Sequence, residues 1–193
     1  MSASAPLELP AGAGIRQPID ADTPRWLLPL ARVLAAVNRG VMVLGMIALL
    51  AAAVILSSSV VTRYFLHAST DWQDEASVFC LVGATFLCGA FVQAIRGHVG
   101  IEAVSTLLSA RVNRVRVLLV DVGCLAFCIF FAWKSCTLLH EAWAEGQTTS
   151  SSWAPPLWIP YLLMSLGMIL LAVQLSVQCI VSANKLRLAR GGR

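Results

Sequence analysis

Four long apolar segments dominate this sequence and limit what the chain can fold into. They cover residues 40–62, 76–95, 117–139 and 157–181. Each could cross a hydrocarbon core, which takes about 20 apolar residues in a helix. Hydrophobic residues make up 58% of the chain, more than a water-soluble domain normally carries. Since unsatisfied backbone groups are costly in lipid, the predicted fold class is an all-α integral membrane protein with four transmembrane helices.

The basic residues predict how these helices are oriented. Twelve of the fourteen Lys and Arg residues lie before the first segment, between the second and third, or after the fourth. These three regions share one side of a four-pass chain. By the positive-inside rule both termini are predicted to be cytoplasmic, while residues 63–75 and 140–156 face outward. The net charge of +4 therefore reflects membrane orientation, and no nucleic-acid partner is expected.

The regions outside the spans have their own predicted roles. Residues 1–24 form a Pro- and Gly-containing cytoplasmic tail, and residues 25–39 a short interfacial helix. A signal peptide is not expected, because the first apolar run is longer than a typical h-region of about 7–15 residues. A second amphipathic helix is predicted between spans two and three, either bracing a complex or serving as a basic connector. The domain that contains the spans covers residues 40–182, and residues 183–193 form a basic tail.

Little in the sequence points to catalysis. The three histidines lie at different predicted depths, and no G-x-S-x-G, H-E-x-x-H or P-loop pattern is present. All six cysteines fall inside predicted spans, where they act as small packing residues. We therefore expect no catalytic residues, no metal site and no cofactor.

Charges inside the membrane are the usual markers of a transport path, and this chain has two, Asp121 and Lys134. Thirteen residues separate them, about 20 Å along one helix, so they cannot pair with each other. Snorkelling accounts for both charges inside the spans. The Asp121 side chain would extend toward the basic cytoplasmic loop, and the Lys134 side chain toward Glu141 and Glu145. A charged relay through this chain alone is therefore not expected.

Small residues in spans one and two indicate close helix packing. Gly83 stands among several Gly and Ala residues in span two, and Gln174 and Gln178 share one face of span four. These faces could pack within the bundle or against a partner. Bulky replacement of Gly83 should disrupt a complex if the second alternative holds.

The stretch RYFLHASTDWQDEA, residues 63–76, is predicted to be a tight outward hairpin between spans one and two. Thr70 or Asp71 can cap the second helix, and Trp72 can anchor at the interface. Arg63 could reach Glu75 across the hairpin, and we predict an Arg63–Glu75 pair that fixes this edge for a partner. The alternative is that the polar residues serve only to join two helices.

The second outward loop, GQTTSSSWAPPLWIPY, is predicted to begin with a flexible polar stretch, residues 146–152. Trp153, Trp158 and Tyr161 mark the interface beyond it. The prolines suit the entry to the fourth helix, and Pro160 is tolerable in its first turn.

Four motifs in order resemble one family, the small DctQ-type membrane subunit of tripartite ATP-independent periplasmic (TRAP) transporters. The resemblance extends over about residues 40–182. An Arg-Tyr pair closes the first span, a W-x-x-E signature opens the second, a Gly-His pair with nearby Ile and acidic residues follows it, and P-L-W-I-P-Y precedes the last span. The matching positions are Arg63, Tyr64, Trp72, Glu75, Gly97, His98, Ile101, Glu102 and Pro156 to Tyr161. Glu102 replaces a more usual Asp, and Gly100 is an extra residue in that motif.

The resemblance implies a division of labour in the bacterial inner membrane. A large membrane subunit would move substrate with a sodium gradient, and a periplasmic substrate-binding protein would capture an organic acid. The small subunit would serve as scaffold for the first and help to dock the second, with membrane lipids around it. The partner or structural candidates are Arg63, Trp72, Glu75, His98, Gly83, Trp158 and Pro160.

Two other functions remain open from the residues. A self-sufficient four-helix exporter would need a central intramembrane carboxylate, whereas Asp121 is near the cytoplasmic end. A quinone-linked redox enzyme would need reactive cysteines in the outward loops, which contain none.

Overall fold

A computed structural model describes residues 24–67, 69–95 and 110–191, and it is built from four long helices. They are α1 (Leu28–Val61), α2 (Asp71–Ala94), α3 (Ala110–Ala144) and α4 (Trp158–Gly191). A π-helical turn, Thr62–Leu66, follows α1 directly. All four helices are long and apolar enough to cross a membrane, so the predicted all-α fold with four spans is confirmed. The β-pairing within the described ranges is one isolated bridge, Thr148 with Pro156.

The packing of the helices gives the bundle two distinct ends. The hairpin end carries residues 62–70 and 145–157, and the termini end carries the start of α1 and the close of α4. Which end faces the cytoplasm stays a prediction. At 34 or 35 residues, α1, α3 and α4 are each about 50 Å long, well beyond a hydrocarbon core of about 30 Å.

The segment predicted as a separate interfacial helix, residues 25–39, is joined to the first span without a break. It forms a turn and then, from Leu28, the first part of α1, with Pro29 in the first turn, where a missing N–H does no harm. Gly40 alone does not interrupt the helix, because an isolated glycine costs only about 1 kcal/mol. All but the last residue of the predicted tail, residues 1–24, lies outside the described residues, as do most of the predicted loop helix and His98.

Helix α4 lies at the centre of the bundle, packed against both α2 and α3, while α2 also packs against α1. Glycines permit the closest approaches. A Cβ added at Gly167 would collide with the backbone of Phe86, and one at Gly45 would collide with Cys88 Sγ. One added at Gly83 would lie 3.1 Å from Leu163 Cδ1. Gly83 therefore packs inside this chain, against α4, which favours the first of the two predicted roles for the small residues.

Two apolar clusters fill the interior. Near the termini end, Leu27 and Leu34 pack against Val177 and Val181, which joins α1 to α4. Nearer the middle of the bundle, α3 and α4 share a second cluster, and Phe86 of α2 stacks on Phe131 of α3. The buried members of that cluster are Cys128, Ala132, Met168 and Leu175.

Buried amides add polar links between the helices. Asn38 Nδ2 donates to Gln174 Oε1 at 3.0 Å, joining α1 to α4. Gln93 and Gln178 exchange two hydrogen bonds: Gln93 Nε2 donates to Gln178 Oε1 at 3.0 Å, and Gln178 Nε2 donates to the Gln93 carbonyl at 2.9 Å. Both glutamines of the fourth span thus face the interior, where their amides find partners instead of lipid.

Candidate functional site: the hairpin end

The end of α1 widens into the π-helical turn and then reverses direction. His67 closes this turn in the left-handed conformation, with φ of 49°. A π-turn inside or beside an α-helix often marks a functional position, because it changes which way the side chains point. Here it leaves Tyr64, Phe65 and Leu66 more than 70% exposed at the hairpin end.

Arg63 braces the hairpin, but its partners differ from the predicted one. Its Nη2 lies 2.8 Å from Asp74 Oδ2 and 2.7 Å from Thr70 Oγ1, and its Nε also donates to Thr70 Oγ1. The predicted Arg63–Glu75 pair is therefore wrong. Neighbouring residues on a helix point about 100° apart, so Asp74 faces α1 while Glu75 turns away from it.

The beginning of α2 uses Thr70 in an unexpected way. Thr70 occupies the N-cap position, yet its side chain makes no capping hydrogen bond. Its hydroxyl is the acceptor for Arg63, while its carbonyl accepts the backbone N–H groups of Gln73 and Asp74. The Thr70 side chain thus links the end of α1 to α2 through Arg63, and it does not cap the first turn of α2.

The acceptors on Asp74 are shared between an exposed and a buried partner. Ser59 Oγ, on a residue only 3% exposed, donates to Asp74 Oδ1 at 3.1 Å. The Arg63–Asp74 pair is open to its surroundings, with side chains 65% and 47% exposed. A pair of this exposure in water contributes about 0.2–1 kcal/mol, so the bond to Ser59 has at least a comparable effect on how the hairpin is held.

Two other polar groups of α2 have an oxygen that is enclosed and unpaired. Glu75 Oε2 and Gln73 Oε1 are both buried without a hydrogen-bond partner among the described residues. An enclosed acceptor without a donor is unfavourable, by about 1–3 kcal/mol. Glu75 is thus not part of the Arg63 brace, and its role at a partner surface stays a prediction.

The loop between α3 and α4 folds over the loop between α1 and α2. Ser152 Oγ donates to Asp71 Oδ2 at 3.1 Å, and Trp72 and Trp153 line a shallow groove between the two loops. The stretch predicted to be flexible, residues 146–152, is held by backbone hydrogen bonds. Thr149 N donates to the Pro155 carbonyl at 3.1 Å, and Leu157 N donates to the Gln147 carbonyl at 2.9 Å.

The entry to α4 agrees with the aromatic pattern in the sequence. Trp158 begins the helix and meets Trp143 of α3 edge to face, with ring centroids 5.1 Å apart. Pro160 lies in the first turn, where N–H groups have no intrahelical partner. An indole pair of this kind suits the membrane interface, so this end of α3 is assigned to headgroup level.

A groove on the outer side of the hairpin combines apolar and ionic groups. Its lining residues are Leu56, Ser59, Val60, Arg63, Tyr64, His67 and Asp74. One wall is the apolar face of α1 and the other contains the Arg63 brace. A groove that is apolar along one wall and ionic at one end can hold an amphipathic group or a partner segment.

The two intramembrane charges differ in surroundings. Asp121 is 5% exposed and accepts a hydrogen bond from Ser182 Oγ of α4 at 3.2 Å, a contact that the sequence did not indicate. Lys134 is exposed, and its Nζ lies 5.3 Å from the centroid of the Trp133 ring. It forms no ion pair with a described residue, so no contact with Glu141 or Glu145 supports the predicted snorkelling, which stays a prediction. Leaving such a cation in lipid near mid-membrane costs about 2.5–3.5 kcal/mol on insertion scales.

The described part of the chain holds no group of three or more His, Cys, Asp and Glu side chains placed to bind a metal. The six cysteines are free thiols. The hairpin end itself presents one braced cation, one enclosed acceptor and exposed aromatic rings.

A sequence model of the family described as the DctQ component of tripartite ATP-independent periplasmic transporters matches residues 52–184. That range covers more than half of the chain and includes both loops of the hairpin end and most of α4. The chain belongs to the DctQ family. No curated protein and no solved structure matches it.

Membership makes this DctQ protein a small permease subunit of a TRAP transporter, a multi-pass membrane component and not a member of an enzyme family. In TRAP systems this component works with a large membrane subunit and a substrate-binding protein. The resemblance drawn from the four sequence motifs is thus confirmed, while the roles of individual residues stay predictions.

Proposed function

We propose that this chain is the scaffold subunit of a sodium-coupled TRAP transporter that takes up an organic acid across the bacterial inner membrane. The match to the DctQ family over residues 52–184 is the observation that carries the proposal. Both termini would be cytoplasmic, so that the hairpin end faces the periplasm. The large subunit would perform the transport step, and this chain would provide a fixed surface beside it.

The interior of the bundle supports a scaffold role. Its buried amides are used in links between helices, Asn38 with Gln174 and Gln93 with Gln178. Close approaches at Gly45 and Gly167 leave no room for a substrate between α2 and its neighbours. A tightly packed bundle resists deformation, as a surface against which another subunit moves should.

The hairpin end supports a second part of the role, helping to dock the substrate-binding protein. Arg63, Trp72 and Glu75 stand on the same outward corner, and Ser152 ties the second loop to it through Asp71. A corner braced in this way presents exposed aromatic and charged groups without further ordering on binding. Such preorganisation reduces the entropic cost of association.

Deletion of the gene tests the proposed function. We expect loss of uptake of the organic acid by intact cells, restored by the full chain, and loss of the restored uptake when sodium is replaced by potassium. Radiolabelled substrate, chosen by a thermal-shift screen on the cognate substrate-binding protein, provides the measurement. Undiminished uptake in the deletion strain would refute the scaffold role, and uptake indifferent to sodium would refute the coupling.

A further inference from the structure

Lys134 lies on a face of α3 that no described residue of this chain covers. The face of α3 that packs on α4 carries Cys128, Ala132, Ser135 and Ala142, all buried. On the opposite side, a stripe at helical spacing is exposed throughout its length. It consists of Phe130, Lys134, Thr137 and Glu141, and we call it the outer stripe. Thr137 Oγ1 donates to the Trp133 carbonyl of its own helix, and Glu141 lies two residues from Trp143, so Lys134 is the member of the stripe whose polar group lies deep and forms no hydrogen bond or ion pair with a described residue.

The depth of Lys134 follows from two markers on the same helix. Arg116 and Trp143 are 27 residues apart, about 40 Å along the axis, which matches the distance between the two headgroup regions. The midpoint falls near residue 130, so Lys134 lies about 7 Å from the bilayer centre. Its Cα is then about 8 Å inside the hydrocarbon edge on the hairpin side.

Snorkelling does not bring the ammonium group of Lys134 out of this depth. The Cα–Cβ bonds of a helix tilt toward its N-terminus, which for α3 is the opposite end. The stem of Lys134 therefore starts in the wrong direction, and its reach of about 6 Å is shorter than the distance to the nearer edge. In the structure the Nζ atom lies over the neighbouring Trp133 ring.

We propose that the outer stripe of α3 is the contact surface for a membrane helix of the large subunit, and that this helix carries an Asp or Glu carboxylate that pairs with Lys134. An intramembrane cation without a counter-charge is unfavourable, and a carboxylate at the same depth neutralises it. Phe130 and the exposed ring of Trp133 supply apolar contact beside the pair. This inference rests on the proposed function, because it presumes the large subunit.

The first test replaces Phe130 with the photoreactive residue p-benzoylphenylalanine in the full chain, co-expressed with the large subunit in bacterial membranes. Ultraviolet light should produce a covalent adduct between the two subunits. Mass spectrometry of the adduct should place it in a transmembrane segment of the large subunit that contains a carboxylate. Adducts with phospholipid alone would mean that the stripe faces lipid, which overturns the proposal.

The second test compares Lys134→Met with Lys134→Arg, using Arg187→Gln as a matched control at an exposed cation of the termini end. We expect Lys134→Met to weaken the complex with the large subunit about tenfold or more, since it leaves a carboxylate unpaired. Lys134→Arg and Arg187→Gln should hold the large subunit as the wild type does. Helicity and the monomer peak of each isolated variant show whether the bundle itself still folds.

The outcomes separate this inference from the proposed function. If Lys134→Met folds and binds the large subunit as tightly as the wild type, the inference is wrong while the scaffold role stands. If the wild-type chain itself fails to bind the large subunit, both are wrong. Removal of the partner carboxylate should weaken the complex as Lys134→Met does, and the double variant should be no weaker than either single one.

Discussion

At the scale of single residues, Asp74 joins two helices with its two carboxylate oxygens. One accepts the hydroxyl of Ser59 and the other the guanidinium of Arg63, so α1 is held at two points one turn apart. Thr70 adds a third contact through its hydroxyl. The corner depends on a short carboxylate placed on the side of α2 that faces α1.

Asp74→Asn should lower the free energy of unfolding of the isolated subunit by about 1 kcal/mol, because it removes the ion pair and weakens the contact with Ser59. Thermal unfolding in detergent would detect the change. Glu141→Gln is the control, since the exposed carboxylate of Glu141 forms no hydrogen bond with a described residue. Equal melting temperatures for the two variants would show that Asp74 does not hold the corner.

Asn38 is the other residue on which packing depends, being fully buried and bonded to Gln174. Asn38→Ala leaves the Gln174 oxygen without its donor, and we expect a loss of about 0.6–2 kcal/mol of stability. Ser57→Ala, at an exposed hydroxyl of the same helix, should have little effect. Thermal unfolding in detergent would compare the melting temperatures of the two variants. An unchanged melting temperature for Asn38→Ala would contradict the structural role given to this amide.

At the scale of the elements, α1 packs through a narrow stripe. Its buried residues include Asn38, Gly45, Ala52 and Ser59, which are seven apart. A seven-residue period favours helices that cross at a small left-handed angle. Much of the remaining α1 surface is exposed and apolar, suited to lipid or a partner helix.

Gly167→Leu should prevent α4 from approaching α2, because the added side chain meets the backbone of Phe86, which cannot rotate away. We expect loss of the folded monomer, measured as the monomer peak in size-exclusion chromatography. Gly123→Leu is the matched control, since a Cβ at Gly123 meets nothing within 4 Å. A normal yield of Gly167→Leu would mean that the α2–α4 contact is misplaced.

The number and type of the elements could be predicted because lipid leaves the backbone few alternatives. The packing face of α1 could not, although the seven-residue spacing is visible in the sequence. Ala48, Ala51 and Ala53 provide other small residues around the same helix, and only the positions of α2 and α4 decide among them. The choice of Asp74 over Glu75 as the partner of Arg63 depended likewise on the rotation of α2, which the sequence does not specify.

At the scale of the whole molecule, the bundle has α4 inside and α1 and α3 on the outside. Its interior links use the buried amides, while Lys134, Trp133 and the aromatic rings of the hairpin end point outward. Such a distribution belongs to a component of a larger membrane complex, in which the outer faces meet other subunits. The family match gives the identity of that complex, a TRAP transporter.

Uptake by reconstituted liposomes tests most directly whether this chain is a scaffold and not a transporter. Liposomes would contain this chain alone, the large subunit alone, or both, with the loaded substrate-binding protein outside and an inward sodium gradient. We predict accumulation of the organic acid only when both membrane subunits are present. Sodium-driven accumulation by this chain alone would contradict the account.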